Sequence, residues 1–130
     1  MARSGDTSSR VLTVLATARI AIGLGALAAP RLAGRVFPEV AGSDDGRALV
    51  RMVGARDLAL GIATLLSLRA GAGVGIVGLA TILSDGSDAV AALGTSAPPL
   101  TRGATAASGL LGAVTTTVAV LARGSNPVTA

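Results

Sequence analysis

Four apolar runs, each long enough to cross a bilayer as an α-helix, leave this chain few ways to fold. The clearest is Val11 to Ala29, 19 residues in which Arg19 is the one charge and after which Pro30 stands. At 1.5 Å of rise per residue, such a run matches a hydrocarbon core about 30 Å thick. No water reaches that layer to satisfy backbone N–H and C=O groups, so the segment must satisfy them itself, and a helix does so. Three further runs follow at about 47–68, 72–93 and 102–122. The expectation is an all-α polytopic membrane protein, a single up-down bundle of four transmembrane helices, with residues 1–9 and 124–130 as flexible tails.

The connections agree with that division. Pro30 to Gly46 holds Arg31, Arg35, Phe37, Pro38, Glu39, Asp44 and Asp45, which predicts a polar link with a short helix in the interface and Phe37 dipping toward lipid. Arg69 and Gly71 close the second helix, and Ser96, Pro98 and Pro99 break the chain before the fourth. A cleaved signal peptide is the competing reading of the first run, since Arg3 and Arg10 precede it and Ala26-Leu27-Ala28 has the small-residue pattern of a cleavage site. Arg19 in mid-run and Pro30 beside the cut count against it. Four crossings put both termini on one side. The arginines nearly balance, with Arg3, Arg10, Arg69 and Arg123 on the terminal side and Arg31, Arg35, Arg47 and Arg102 opposite. Two of them precede the first helix, which favours cytoplasmic termini and a place in the cytoplasmic (inner) membrane.

Composition narrows the chemistry. With 51% hydrophobic and 14% charged residues, the chain lies far from the soluble average of about 25% charged. Phe37 is its only aromatic residue, so arginines must replace the usual interfacial Trp and Tyr. All 11 basic residues are Arg, a bias that with the Ala, Gly, Leu and Val content points to a GC-rich bacterial genome. The net charge of +4 suits contact with anionic lipid headgroups. It is not a nucleic-acid signature, because no basic stripe or aromatic stacking platform accompanies it. With no Cys and no His, thiolate nucleophiles, iron–sulfur clusters, imidazole bases and the usual transition-metal sites are excluded. The sequence therefore offers no catalytic constellation, no cofactor site and no metal site, and the protein is read as not an enzyme.

Six charges stand inside the apolar runs: Arg19, Arg51, Arg56, Asp57, Asp85 and Asp88. Ionised groups in hydrocarbon are costly and turn inward to pair or to line a site. At 100° per residue, Arg51, Gly54, Asp57 and Gly61 share one face of helix 2, with Arg56 at its edge. Gly71, Gly75, Gly78, Thr81, Asp85 and Asp88 form a stripe on helix 3. Leu12, Ala16, Arg19, Gly23 and Ala26 do so on helix 1, and Thr105, Gly109, Gly112 and Thr116 on helix 4. Glycines beside charges let backbones approach while the charged groups face each other, so Gly54, Gly61, Gly71, Gly75 and Gly78 are read as packing positions. Depth along the helices predicts Arg51 with Asp88, Arg56 or Arg19 with Asp85, and Asp57 with the remaining guanidinium. One guanidinium can serve two carboxylates, which favours a shared network.

Two uses of such a network compete. It can fix helix register and identity only, or it can line a pocket for a small anion, polar metabolite or lipid headgroup, or a path for protons through Asp85 and Asp88. Gly73, Gly75 and Gly78 match the dinucleotide fingerprint, but the run before them has helical periodicity and no strand–helix alternation follows, so helix packing explains them.

The segment Arg51-Met-Val-Gly-Ala-Arg-Asp-Leu-Ala-Leu-Gly61, with Ser84-Asp-Gly-Ser-Asp-Ala89 beyond it, resembles a family of small bacterial four-helix integral membrane proteins of no assigned function. Its related domains carry R-x-x-G-x-R-D-x-x-x-G on the second helix and D-x-x-D-A on the third, here Arg51, Gly54, Arg56, Asp57, Gly61, Asp85 and Asp88. Arg19 in Ala-Arg-Ile-Ala-Ile-Gly is similar to the family's first helix, and the layout is distantly similar to the DoxX-like group. The resemblance implies the fold and which polar residues belong together. The expected function is that of a structural or accessory subunit of a membrane complex, partnered by the lipid bilayer and by another membrane protein or a second copy. The alternative is a small transporter or binding protein for a polar or anionic molecule or lipid headgroup.

Overall fold

The structure, a computed structural model, describes residues 3–35, 42–94, 96 and 99–124. Its elements are α1 (Arg3–Ala28), a 3-10 helix η1 (Pro30–Arg35), α2 (Asp44–Ala70), α3 (Val74–Leu93) and α4 (Pro99–Gly124), and no strand occurs among the described residues. Helix α1 begins at Arg3 rather than Val11, so the expected flexible tail is largely helical. Asp6 and Arg10 form an i,i+4 ion pair of 2.7 Å across that added turn, which favours the helix over a frayed end. Helix α4 begins at Pro99, three residues before the expected Arg102. Proline fits the first helical position because its missing N–H is unused there. Phe37 lies outside the described residues.

Local chemistry sets the other boundaries. Ser43 caps α2, its Oγ accepting from the Gly46 N–H at 3.0 Å, and Asp44 and Asp45 follow in the first turn, where the helix dipole favours acids. Between α2 and α3 the chain turns through Gly71 and Gly73, with φ of 67° and 77°. Those left-handed conformations suit glycine because any Cβ would crowd the backbone.

Three helical stretches are long and apolar enough to span a membrane: Asp6–Ala28, Val74–Leu93 and Pro99–Arg123. The second expected span does not join them. Helix α2 has 27 residues, but any 18-residue window along it contains at least three charges, chiefly Arg51, Arg56, Asp57 and Arg69.

The chain divides into two compact units, Thr13–Leu66 and Met1–Leu12 with Ser67–Ala130. In the first, α1 and α2 run antiparallel, since Gly23 meets Gly54 and Leu58 while Ala16 and Ile20 meet Gly61. In the second, α3 and α4 run antiparallel, Gly78 against Val120 and Asp85 and Ala89 against Gly109. The first part of α1 belongs to this unit as well, and the Arg123 guanidinium donates to the Ser9 hydroxyl.

Side chains are distributed inversely to those of a water-soluble domain. Among the described residues the buried set is mostly small or polar, including Ala16, Ala89, Ala92, Ala113, Ala119, Ser8, Thr81, Asp85 and Thr116, and Leu12 is its largest apolar side chain. Val14, Ile22, Met52, Leu66, Ile76, Leu83, Val90, Leu111 and Leu121 are all exposed. Hydroxyls on the helices close on their own backbones. Thr17, Thr64, Thr81 and Thr117 donate to the carbonyls of Thr13, Leu60, Val77 and Ala113, four residues earlier.

Candidate functional site

The site grows from a repeated spacing on α1 and α2. Arg19 has Ala16 three residues before it and Gly23 four after; Asp57 has Gly54 three before and Gly61 four after. Small residues at −3 and +4 lie on the same face as the charge, one turn to either side. The two backbones therefore touch on both sides of the charged level. A Cβ on Gly23 would lie 2.5 Å from the Gly54 carbonyl oxygen and 2.7 Å from the Leu58 nitrogen. One on Gly61 would lie 2.7 Å from the Ala16 carbonyl oxygen.

Between those two contacts the Arg19 Nη1 donates to Asp57 Oδ1 at 2.8 Å. The Arg19 and Asp57 side chains are 16% and 13% exposed. Arg56 Nη2 donates to the same oxygen at 3.4 Å from a more open position. Arg56 precedes Asp57 by one residue and so stands about 100° around the helix, which explains the longer, oblique approach. Asp57 is thus the carboxylate on which two guanidinium groups converge. An oxygen engaged in this way is a poor base or nucleophile, and arginine does not release its proton. The geometry suits holding two helices in register.

Asp85 stands in the other unit, 5% exposed on α3, at a close contact of that helix with α4. A Cβ on Gly109 would lie 2.6 Å from the Asp85 carbonyl oxygen and 3.3 Å from the Ala89 Cβ. Thr81 and Thr116 are buried along the same pair of helices. Asp88 is half-buried one turn further on, and both aspartates have polar partners. Among the described residues no three acidic side chains gather as a metal site would require.

Arg51 is exposed on α2. Two expectations are corrected. Gly71 is a turn residue with left-handed φ rather than a packing position, because α3 starts at Val74 and not at 72. Gly75 is exposed and a Cβ there would meet nothing within 4 Å, so it does not pack either. Gly78 does pack, with Val120 Cγ2 2.6 Å from where its Cβ would stand.

A feature the sequence reading passed over lies at the far end of the α1–α2 unit. Ala28, Ala29, Pro30, Arg31, Leu32, Arg47 and Arg51 line a cavity of about 510 Å³. Arg31 and Arg47 were legible only as interfacial charges and Arg51 as a member of the intramembrane network, because Arg31 and Arg47 are sixteen residues apart with the polar link between them.

No protein-family model, no curated protein and no solved structure matches the chain.

Proposed function

We propose that this protein is a four-helix integral membrane protein of the cytoplasmic membrane, acting as a structural or accessory subunit of a membrane complex. One observation carries the reading: small and polar residues fill the interior while Leu, Ile and Val cover the surface. In water that arrangement forfeits the main driving force for folding. In lipid it is the expected one, because tails solvate Leu and Val, and helices associate through close backbone packing and polar pairs. Helix α2 is the fourth crossing in this proposal. Its central charges are tolerable there because Asp57 is paired with Arg19 and Arg56 between α1 and α2. Arg19 and Asp57 are enclosed by helix contacts and do not border the arginine-lined cavity, which favours a structural over a transport role.

The test is size in the native bilayer. Extraction of the membrane with a lipid-retaining polymer, followed by mass measurement, should give a particle holding protein well in excess of one 12.5 kDa chain. A lone chain in every preparation would overturn the subunit reading. A second reading, a small transporter or binding protein for a polar or anionic molecule, has in its favour the cavity bordered by Arg31, Arg47 and Arg51.

A further inference from the structure

We infer that the cavity between the end of α1, η1 and the start of α2 is a binding site for a negatively charged phosphate group, occupied in the membrane by an anionic phospholipid headgroup. The inference rests on the reading of α1 and α2 as membrane-crossing. Three arginines, Arg31, Arg47 and Arg51, border one cavity of about 510 Å³. Among the described residues neither Arg31 nor Arg51 enters an ion pair. Arg47 bonds the Asp44 carboxylate, and Asp44 is itself 95% exposed, so that acid faces solvent and leaves the set with a net positive charge. Guanidinium forks match phosphate oxygens bidentately, and several of them around one cavity suit a group with three or more acceptor atoms better than a single carboxylate.

Depth places the cavity at the headgroups. Arg19 stands at the middle of the apolar run Val11–Ala29 and pairs with Asp57, which fixes a common level on the two antiparallel helices. From that level Ala28 is about 14 Å along α1 and Arg47 about 15 Å along α2 at 1.5 Å per residue, close to half the thickness of a hydrocarbon core. Arg51 starts about 9 Å out, and its long stem carries the charged end toward the same boundary. The wall is also amphiphilic: Ala28, Ala29, Pro30 and Leu32 border the cavity beside the arginines. A free anion would use the arginines alone, whereas a lipid would use the apolar wall as well.

The test uses the full-length protein in neutral detergent, with bound molecules counted by native mass spectrometry. It is titrated separately with phosphatidylglycerol, with phosphatidylcholine of the same chains, and with sodium phosphate. Wild type should retain phosphatidylglycerol in preference to phosphatidylcholine. Arg31→Gln with Arg51→Gln should weaken that binding about thirtyfold, the weight of two basic residues at an anionic surface. Arg10→Gln with Arg69→Gln removes the same charge from exposed positions elsewhere and should weaken it less than about threefold. Arg31→Gln alone, at an exposed position of the 3-10 helix, should weaken it about fivefold and decides the matter should the double variant fail to fold. Equal losses in both double variants, or no preference between the two lipids together with no phosphate binding that needs Arg31 and Arg51, overturn the site. Phosphate binding that needs Arg31 and Arg51, without a lipid preference, supports the phosphate site and gives it a soluble occupant. The two readings fail differently. Protein released from membranes by alkaline carbonate refutes the membrane reading, whereas membrane-retained protein with neither lipid preference nor arginine-dependent phosphate binding refutes this inference alone.

Discussion

Asp57→Asn is the most informative single change. Arg19 Nη1 lies 2.8 Å from Asp57 Oδ1, and at an effective dielectric of 20 the attraction of unit charges at that distance is about 6 kcal/mol. Desolvation of both ions offsets much of it, so the net worth of the pair is far smaller. Asparagine does not remove the desolvation of Arg19; it takes the negative charge away from that guanidinium, and Arg56 loses the same anion. Loss of one partner of a buried pair costs about 3–5 kcal/mol, and the residual exposure of these side chains places the expectation near 3 kcal/mol, roughly a hundredfold in the folding equilibrium. Replacing both ions at once, Arg19→Met with Asp57→Leu, removes the more buried guanidinium together with its acid, takes the acceptor only from the more open Arg56, and should return stability to within about 1 kcal/mol of wild type. The coupling between the two sites is then at least about 2 kcal/mol. The chain has no Trp or Tyr to report its unfolding, but it also has no Cys, so dyes can be attached cleanly at Val14→Cys and Ile62→Cys, both exposed in the α1–α2 unit. Energy transfer between them, followed through a denaturing-detergent titration in bilayer-like micelles, reads the separation of the two helices. An Asp57→Asn loss below about 1 kcal/mol, or a double variant as unstable as the single one, would refute the register argument.

Glycine substitutions should divide by what their Cβ meets. Gly109→Ala places a methyl 2.6 Å from the Asp85 carbonyl oxygen and should destabilise the α3–α4 pair by about 1–3 kcal/mol, whereas Gly86→Ala meets nothing within 4 Å and should be neutral or stabilising by up to about 1 kcal/mol, both read by thermal unfolding in detergent. Gly71→Ala should cost about 1–2 kcal/mol in the same assay because φ is 67° there; an unchanged melting temperature would show that the turn is not held in that conformation. The fourth crossing is checked by single cysteines at Ser43 and Ala72, exposed residues on either side of α2. Membrane-impermeant thiol reagents should reach them from opposite sides of the membrane, and labelling from one side would remove α2 from the set of spans.

Much of the helical plan was legible in the residues. Pro30 ending the first run and the Pro99 region opening the last marked boundaries to within a few residues, because proline's lost donor and fixed φ act locally. The 100° rule put Ala16, Arg19 and Gly23 on one face and Gly54, Asp57 and Gly61 on another, and those residues meet between α1 and α2. It failed at Gly71 and Gly75, where a few residues' difference in the start of α3 moved one glycine into a turn and left the other open. None of the four residues from Gly71 to Val74 has a polar side chain with which to cap a helix, and the turn is made instead by backbone conformation.

By itself the sequence determined that this chain forms long apolar helices with charges at their middles, since hydrocarbon forces backbone groups into local pairing and periodicity then dictates the faces. Only the tertiary structure decided which charges meet. A guanidinium reaches several ångströms in many directions, so spacing allowed Asp57 to pair with Arg19, Arg56 or neither; backbone contact at Gly23–Gly54 and Ala16–Gly61 brings Arg19 to 2.8 Å. It also brought Arg31, Arg47 and Arg51 to one cavity across a link that no periodicity describes.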